Sequence, residues 1–495
     1  MEKEKLKPLM FAGTGSDVGK SIIVTGICRI LKQDGYAPSP FKAQNMALNS
    51  FPTYDGFEIG RAQAVQAEAA GLLPICDMNP LLLKPNTDLT SQVILNGKPA
   101  GNKSAYEYFR KDGREVLRKE VHSAFDRLAS SYNPIILEGA GSISEMNLQE
   151  VDLVNMPMAR YADANIILVA DIDRGGVFAS IYGSVMLQKP EDRKRIKGVI
   201  INKFRGDIRL FDSGIKIIEE TSGIPVIGVI PYYKDIHIEE EDSVVLKNKH
   251  TKWRKDKVNV VVILLSHLSN FTDFNMLEKD ERINLYYSSD PIEIEKADII
   301  IIPGTKNTIS DLKKLYDNGI AKAIIKAATN NKTIFGICGG YQMMGKEIND
   351  PFHMEGDLEN MDGLGLLPIR TTITKDKSTC QKEFHFLNFE DKCRGYEIHM
   401  GVSELDNLDN VNPLIHYSNG ESDGCFVGKK CMGSYMHGIL DNKCVIDYLL
   451  KPYTSKVNNN FVDYLTFKEE QYNKLANHIR NNIDVDLFYK ILNER

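Results

Sequence analysis

A cysteine between glycines stands at position 338, within the segment 336–342 that reads GICGGYQ. The apolar residues 333–335 come just before it, so the pattern predicts a buried strand, a sharp turn and the start of a helix. A helix N-terminus favours the thiolate, which is the nucleophilic form of cysteine. The glycines leave room for a substrate carbonyl, and the N–H after the cysteine can stabilise an oxyanion. We interpret Cys338 as a catalytic nucleophile, although a lone cysteine is more often a small buried hydrophobe.

A cysteine nucleophile needs a base, and His437 is the best candidate in this sequence. It lies in the segment 433–438, GSYMHG, after a short apolar run that would bring it to the same sheet edge as Cys338. The members of a Cys–His site usually come from distant positions in the chain, so the long separation does not count against this pair.

A glycine-rich loop follows the first apolar run, residues 9–12, and precedes an apolar helical pattern at 22–31. Glycines let backbone N–H groups converge on phosphate oxygens, and the helix dipole adds to the attraction. In such loops the lysine reaches the β- and γ-phosphates and the serine holds Mg²⁺. The strict pattern asks for glycine at position 14, where this chain has threonine. We therefore predict a variant nucleotide-binding loop formed by Gly13, Thr14, Gly15, Asp17, Val18, Gly19, Lys20 and Ser21.

Further polar side chains of the first half are candidates for Mg²⁺, nucleotide or acceptor binding. Glu138 ends an apolar run and fits a Mg²⁺ ligand or a neighbour of one, with a helix-capping acid as the alternative. Asp171 and Asp173 fit either Mg²⁺ or the acceptor, and the sequence leaves both open. Asn202 is predicted to read a purine base through its amide. Glu58 is a further candidate Mg²⁺ ligand.

The chain has 495 residues, of which 42% are hydrophobic and 26% charged, with a net charge of −6. These values are typical of a soluble globular protein with two or three domains. The acidic balance argues against a general nucleic-acid binder. The charged start is unlike a signal peptide, and no apolar run approaches the roughly 20 residues that span a bilayer. The eight cysteines form no CxxC pair. We therefore expect a cytoplasmic protein with reduced thiols and no membrane partner.

The elements that must position these groups alternate between apolar runs and helical patterns, which predicts α/β domains on parallel sheets. Predicted strands lie at 9–12, 39–41, 92–95, 134–137, 165–170, 198–201 and 226–230, with a helical stretch at 104–128, and then at 258–265, 298–302 and 333–335. A charge-rich segment separates the two series. The predicted domains are 1–235 and 258–445, with a solvated linker at 236–257 and a helical C-terminal tail at 446–495.

The motifs resemble two known types of domain. GTGSDVGKS at 13–21 and LEGAGS at 137–142 are similar to ATP-dependent ligases of the dethiobiotin synthetase type. GICGGYQ at 336–342 and the segment 435–438 are similar to class I glutamine amidotransferases. This resemblance implies an N-terminal P-loop NTPase domain with a parallel sheet and a C-terminal amidotransferase domain with a flavodoxin-like sheet.

The order of the motifs resembles one family in particular, the cobyrinate amidases of corrin biosynthesis, in which a segment like RGYEIHMG at 394–401 separates Cys338 from His437. The branch that acts on adenosylcobyrinic acid a,c-diamide is the most similar, through the segments 41–49, 58–63 and 79–85. The resemblance covers essentially residues 7–445.

The family implies two coupled reactions. Glutamine is hydrolysed at Cys338 with His437 as base, and the ammonia then reacts with corrin carboxylates that ATP has activated. ATP and Mg²⁺ are the implied cofactors, and the cobalt belongs to the corrin substrate. The implied acceptor is adenosylcobyrinic acid a,c-diamide, whose b, d, e and g carboxylates become amides to give adenosylcobyric acid, in cobalamin biosynthesis.

The resemblance also assigns roles to single residues. Backbone N–H groups of Gly304 or Thr305, together with that of Gly339, match the oxyanion hole. The candidate substrate contacts are Gln44, Asn45, Asp171, Asp173 and His399, and a structural role is about as plausible for the histidine.

The sequence departs from many class I glutaminases after the base. Those domains carry an acid two residues beyond the histidine to orient it, and here that position is Ile439. His437 must be oriented in another way, and Glu397 and Asp441 are the candidates.

Other functions are compatible with parts of the sequence. The nearest is a cobyrinic acid a,c-diamide synthase, which performs the same chemistry at other carboxylates. A partition-type P-loop switch ATPase would not need Cys338 or His437. A standalone cysteine hydrolase would not need Lys20 for its product.

Overall fold

The computed structural model describes residues 4–85, 90–104, 114–239, 253–356, 358–406, 411–428, 430–455 and 462–494. Within them the predicted α/β class is confirmed in both halves of the chain.

The first half contains a parallel sheet and a smaller mixed one. Its strands are β1 Leu9–Gly13, β2 Ser39–Phe41, β3 Gln44–Met46, β4 Ser50–Pro52, β5 Glu58–Gly60, β6 Leu81–Pro85, β7 Thr90–Leu95, β8 Lys98–Ser104, β9 Ile135–Glu138, β10 Asn165–Asp171, β11 Ile196–Phe204 and β12 Val226–Pro231. The parallel sheet has the order β12-β11-β10-β1-β9-β2. The continuous apolar runs of its central strands are buried, as parallel strands covered by helices on both faces require.

The predicted strand at 92–95 exists but belongs elsewhere. It lies in β7, which pairs antiparallel with β6 and β8 in a sheet of order β3-β6-β7-β8. Short hairpin connections join β7 to its antiparallel neighbours, whereas a strand of the parallel sheet would need a crossover connection. Strands β4 and β5 form a separate antiparallel hairpin.

The helices of the first half are α1 Lys20–Gln33, α2 Arg61–Ala70, α3 Arg114–Ser131, α4 Met156–Tyr161, α5 Val177–Met186, α6 Pro190–Arg193 and α7 Asp212–Ser222. The predicted helix at 104–128 begins later than expected, because Ser104 ends β8, and residues 105–113 lie outside the described part of the chain. Short 3₁₀ turns lie at Cys76–Met78, Met146–Leu148 and Ile208–Phe211.

The second half is built on another largely parallel sheet. Its strands are β13 Val258–Ile263, β14 Ile283–Ser288, β15 Ile299–Ile302, β16 Thr333–Ile337, β17 Glu347–Asn349, β18 Asn360–Asp362, β19 Ile369–Phe386, β20 Lys392–Leu405, β21 Ile415–His416, β22 Ser422–Asp423, β23 Cys425–Val427 and β24 Cys431–Ser434. The main sheet has the order β14-β13-β15-β16-β24-β23, with β23 antiparallel at its edge. A second sheet, β18-β17-β19-β21-β22 with β20 paired to β19, lies beside it.

The helices of the second half surround this sheet. They are α8 Asn275–Lys279, α9 Pro291–Lys296, α10 Thr308–Asp317, α11 Ile320–Thr329, α12 Gly339–Met343 and α13 Lys443–Leu450, with 3₁₀ turns at Phe271–Phe274 and Ile439–Asp441.

The last two helices, α14 Tyr464–Arg480 and α15 Val485–Asn493, do not form a free tail. Their apolar faces complete the core of the first half, where Ile479 and Phe488 pack with residues of α1 and the parallel sheet. Arg29 of α1 donates to Glu469 at 2.7 Å and to Asn473 at 2.9 Å. The chain therefore returns to its first half after building the second.

The predicted solvated linker is partly wrong. Residues 240–252 lie outside the described part of the chain. Glu239, however, is buried beside Arg61, whose Nε donates to its carboxylate at 2.5 Å, and Tyr464 also bonds to it. Burial raises the pKa of Glu239, but Arg61 and Lys468 outweigh burial and lower it to about 2. Glu239 therefore stays ionised although it is buried, because cationic side chains surround it.

Among the described residues, no helix combines the length and the apolar character that crossing a bilayer requires.

The docking of the C-terminal helices can be tested at Gly228 of β12. A Cβ at this position would lie 2.3 Å from the Asn482 carbonyl oxygen and 2.8 Å from the Ile483 side chain. We expect Gly228→Ala to lower the free energy of unfolding by about 1–3 kcal/mol, as overpacking does. Thermal or denaturant unfolding measures it.

The matched control is Gly183→Ala in α5, where a Cβ meets open space. Alanine in a helix interior should be neutral or stabilising by about 0.5–1 kcal/mol. Equal stability of the two variants would contradict the docking.

Candidate active sites

The predicted nucleophile lies on a strained turn between β16 and α12. Cys338 has φ 52° and ψ −111°, outside the regions that non-glycine residues favour. Its N–H donates to Ser434 O at 2.9 Å, which fixes the turn against β24. Such strain persists only where the surroundings hold it, and it is common at catalytic positions.

Gly340 explains how the turn fits. A Cβ on this residue would lie 1.9 Å from Ile302 O, so any side chain would push the helix away from the end of β15. The glycine therefore lets the N-terminus of α12 approach the neighbouring strand and keeps Cys338 at the sheet edge.

His437 reaches the same edge because it follows β24, the neighbour of β16. The side chain is fully buried, and its ring stacks on Tyr396 with centroids 5.2 Å apart. His437 Nδ1 lies 2.7 Å from Asp273 Oδ2, and the Gly438 N–H donates to Asp273 Oδ1 at 2.9 Å. One carboxylate thus holds both the ring and the backbone beside it.

Asp273 corrects the prediction about what orients the histidine. Glu397 instead accepts from Tyr417 at 2.6 Å and Lys382 at 3.0 Å. The prediction that Asp441 orients the histidine is also wrong, because its carboxyl makes no bond to His437 among the described residues. Burial, followed by the charge of Asp273, raises the pKa of Asp441 well above the usual range.

The sequence carried only a weak signal for Asp273. It stands in a 3₁₀ turn, Phe271–Phe274, in the polar stretch after β13. A polar residue beyond the end of a parallel strand is a site candidate, but nothing local distinguishes this acid from others.

Asp273 also changes the charge of the base. Burial lowers the pKa of His437, but Asp273 and then Cys338 raise it, to about 10. The arrangement favours an imidazolium beside the cysteine sulfur, which suits a thiolate nucleophile.

Two predicted oxyanion-hole N–H groups lie side by side. A Cβ on Gly339 would lie 3.1 Å from the Thr305 nitrogen. Thr305 and Leu268 face each other in a β-bridge whose two hydrogen bonds are made by their neighbours in the chain. The N–H of Thr305 itself takes no part in that bridge. The Gly339 N–H begins α12 and has no acceptor within its helix. Both donors are therefore available beside Cys338.

Gly304 lines the same space. A Cβ on it would lie 2.9 Å from His437 Cε1, so glycine is needed for the loop to pass the base. His399 lies nearby but is held in place: its Nδ1 lies 2.8 Å from Gly401 O and its ring stacks on Tyr435 at 3.8 Å.

The phosphate loop has the predicted form. Gly19 has φ 95°, a conformation that favours glycine. Lys20 Nζ donates to Gly15 O at 3.1 Å and to Gly141 O at 3.0 Å, so its ammonium lies within the curve of the loop. The Thr14 N–H donates to Val169 O at 3.0 Å, and Thr14 does not have a positive φ, so its backbone conformation does not require glycine.

The predicted metal ligands Ser21 and Glu138 are in contact, with the hydroxyl 2.9 Å from Oε1. Lys42 at 2.8 Å and Gln66 at 2.6 Å also donate to Glu138. Burial raises the pKa of Glu138, but Lys42 outweighs it and the pKa is lowered, so the carboxylate stays ionised. Hydroxyl and carboxylate oxygens fit Mg²⁺, which takes one or two protein ligands beside phosphates. In the described residues no cluster of three or more acids, histidines or cysteines could hold a metal alone.

Glu58 does not belong to this pair. Its carboxylate accepts from Lys84 at 2.7 Å and from Lys377, which comes from the second half. It makes no bond to Ser21 or Glu138 in the part of the chain that the structure describes. Its carboxylate is held by these two ammonium groups and not by the phosphate loop, so the structure does not support the prediction that Glu58 binds Mg²⁺.

Two other predicted residues lie against the phosphate loop. Asn202 donates to Val18 O at 2.9 Å and supports the loop. Asp171 pairs with Lys203 at 2.9 Å.

Asp173 is turned away, since it pairs with Arg205 at 2.7 Å and its side chain is 37% exposed. This ion pair occupies its carboxylate, which does not favour the predicted substrate role.

A cavity of about 580 Å³ opens beside the phosphate loop. Its lining includes Gly141, whose carbonyl accepts from Lys20, and the adjacent Ser142. Other lining residues are Gln44, Arg114, Arg118 and Arg160. Gln44 thus lies at the wall of this cavity. Asn45 points elsewhere, with its amide donating to Gln63 at 2.9 Å.

Comparison with known proteins agrees with both sites. A family model described as the CobQ/CobB/MinD/ParA nucleotide binding domain matches residues 9–245, and one described as the CobB/CobQ-like glutamine amidotransferase domain matches residues 259–445. A cobyric acid synthase from Phocaeicola vulgatus is 62% identical over 491 residues, 99% of each chain. The chain belongs to the cobyric acid synthase family. Other cobyric acid synthases are similar over their full length, with 61% identity in Bacteroides fragilis (99% of each chain) and 54% in Parabacteroides distasonis (98% of this chain and 99% of that one).

Membership in the cobyric acid synthase family confirms the predicted resemblance. The chain is a glutamine-hydrolysing, ATP-dependent amidotransferase with a nucleotide-binding domain followed by a glutaminase domain.

The role of Asp273 can be tested by Asp273→Asn, which keeps the shape and removes the charge. Loss of the orienting carboxylate should lower kcat for glutamine hydrolysis by about 10²–10⁴-fold. Glutamate release measures this rate. The control is Asp441→Asn, which replaces a protonated carboxyl by an amide of the same shape and should stay within a few-fold of wild type. A larger loss for Asp441→Asn than for Asp273→Asn would refute our assignment.

Proposed function

We propose that the protein converts adenosylcobyrinic acid a,c-diamide to adenosylcobyric acid by amidating its b, d, e and g carboxylates, with glutamine as nitrogen donor and ATP as activator. The observation that carries the proposal is the presence, in one chain similar over its full length to cobyric acid synthases, of a Cys338–His437–Asp273 site and a phosphate loop with Lys20.

In the glutaminase site the Cys338 thiolate attacks the side-chain amide carbon of glutamine. The N–H groups of Thr305 and Gly339 stabilise the oxyanion of the tetrahedral intermediate. His437, held by Asp273, gives its Nε2 proton to the leaving nitrogen, and ammonia departs. Water, activated by the neutral imidazole, then hydrolyses the thioester to glutamate.

In the other site a corrin carboxylate oxygen attacks the γ-phosphorus of ATP, and ADP leaves. Lys20 and the loop N–H groups neutralise the charge that develops on the phosphates. Ser21 and Glu138 would hold Mg²⁺, which when bound screens the phosphate oxygens from the incoming carboxylate. The resulting acyl phosphate is an electrophile that a free carboxylate is not, and ammonia displaces its phosphate to form the amide.

The cavity beside Gly141 is our candidate for the acceptor site. It adjoins the loop that would position the γ-phosphate, and its volume of about 580 Å³ lies in the range of ligand-binding pockets. Guanidinium groups at its wall can bind carboxylates of an acceptor. Acidic and basic side chains line the cavity in equal number, however, and Arg118 and Arg160 already pair with Glu115 and Asp192.

Mass spectrometry of the products tests the proposal. Incubated with ATP, Mg²⁺ and glutamine, adenosylcobyrinic acid a,c-diamide should gain up to four amides, one for each of the b, d, e and g carboxylates, whereas cobyrinic acid should not be converted to its a,c-diamide. No conversion of the diamide would refute the proposal, and efficient formation of the a,c-diamide would favour the other cobyrinate amidase.

Two variants separate the half-reactions in the same assay. Cys338→Ser should abolish amidation with glutamine and retain it with added ammonium. Lys20→Ala should abolish amidation with either nitrogen source while some glutaminase activity remains. If Cys338→Ser also lost amidation with added ammonium, the two half-reactions would not be carried out at separate sites.

A further inference from the structure

A short segment of the second half holds both nitrogens of the catalytic base. Asp273 bonds to His437 Nδ1, and Asn270 Nδ2 lies 3.3 Å from His437 Nε2. Asn270 is 3% exposed and has φ 53°, in the left-handed region that asparagine tolerates better than most residues.

The first half holds Asn270 in turn. The backbone N–H of Ser50 donates to Asn270 Oδ1 at 3.2 Å, and the backbone N–H of Asn270 donates to Asn49 Oδ1 at 2.6 Å. Asn49 and Ser50 are buried, and Lys84 fixes Ser50 further with a bond of 2.8 Å to its hydroxyl.

These bonds decide which way the Asn270 amide points. A backbone N–H is only a donor, so the atom that faces Ser50 must be the amide oxygen. The NH₂ group therefore faces His437 Nε2. It donates to that nitrogen only when the ring is neutral and its lone pair is free.

This orientation opposes what the glutaminase reaction needs. The interaction of His437 with Asp273 and Cys338 favours an imidazolium with a proton on Nε2, and an NH₂ group facing that proton is repulsive. If the amide rotated by half a turn, its oxygen would accept from Nε2–H. The rotation breaks the bond from Ser50, so the first half controls it.

The controlling residues lead directly to the acceptor cavity. Gln44, at the start of β3, lines that cavity, and the same short segment ends at Asn49 and Ser50. We propose that Asn270 is a positioning residue that disfavours the active state of His437 until an acceptor in the cavity moves the segment 44–50 and lets the amide rotate. The inference rests on the proposed function, because it assumes an acceptor beside Gln44.

Asn270→Asp is the sharpest test. Aspartate has the same shape and tolerates the backbone conformation, but both of its side-chain oxygens accept, so it satisfies Ser50 N–H and His437 Nε2–H together. Without acceptor, kcat for glutamine hydrolysis should rise by about 5- to 150-fold, the usual span of coupling between two sites. KM for glutamine should change little, and added acceptor should give little further stimulation.

Asn270→Ala and Asn49→Ala extend the test. Asn270→Ala removes the opposing NH₂ without adding an acceptor, so its basal rate should lie between those of wild type and Asn270→Asp. Asn49→Ala leaves Asn270 in place but weakens the hold of the first half, and it should raise the basal rate and reduce stimulation by acceptor. Amidation with added ammonium should equal that of wild type in all three variants.

The outcomes separate this inference from the proposed function. If the wild-type enzyme does not amidate the a,c-diamide, the proposed function fails. If it does, the inference is refuted when acceptor fails to stimulate the wild-type glutaminase. It is also refuted when Asn270→Asp keeps the wild-type basal rate and stimulation, or when Asn270→Asp and Asn270→Ala lose glutaminase equally, as a purely structural role would require.

Discussion

Glu58 is fully buried where the two halves of the chain meet, between the ammonium groups of Lys84 from the first half and Lys377 from the second. Burial raises the pKa of Glu58, but Lys377 and Lys84 outweigh it and hold the pKa well below the usual range. A buried charge that loses its partner costs about 3–5 kcal/mol. The ion pair with Lys377 therefore helps to hold the two halves in one relative position, since sliding them apart would separate Lys377 from Glu58.

That constraint fixes the elements that lead to both active sites. Glu58 lies in the hairpin β4–β5, and Gln381 of the second half donates to Pro52 O of the same hairpin at 2.8 Å. Helix α2 starts directly after the hairpin and presents Gln66 to Glu138 beside the phosphate loop. On its other side the hairpin begins at Ser50, which bonds to Asn270 next to the glutaminase base. One hairpin and the helix that follows it thus connect the surroundings of the two sites.

Local motifs predicted the parts of both sites that depend on backbone shape. The Cys338 turn and the Lys20 loop are each encoded by glycines at fixed offsets between a strand and a helix, and the structure has both. Asp273 was missed because its role arises only when two distant loops meet at one sheet edge. The ion pairs of Glu58 and Asp173 could not be predicted for the same reason, since a buried or surface carboxylate pairs with whichever cation the fold brings to it. The docking of α14 and α15 onto the first half could not be predicted either, because their apolar faces do not say which core they complete.

We propose that the two sites work as one, with nitrogen passing from Cys338 to the acyl phosphate inside the protein. The most direct measurement supplies glutamine labelled with ¹⁵N at its side-chain amide together with equimolar unlabelled ammonium at neutral pH, and determines the ¹⁵N content of the corrin amides. Our account predicts that the new amides carry almost only ¹⁵N. Dilution of the label in proportion to free ammonium would contradict it.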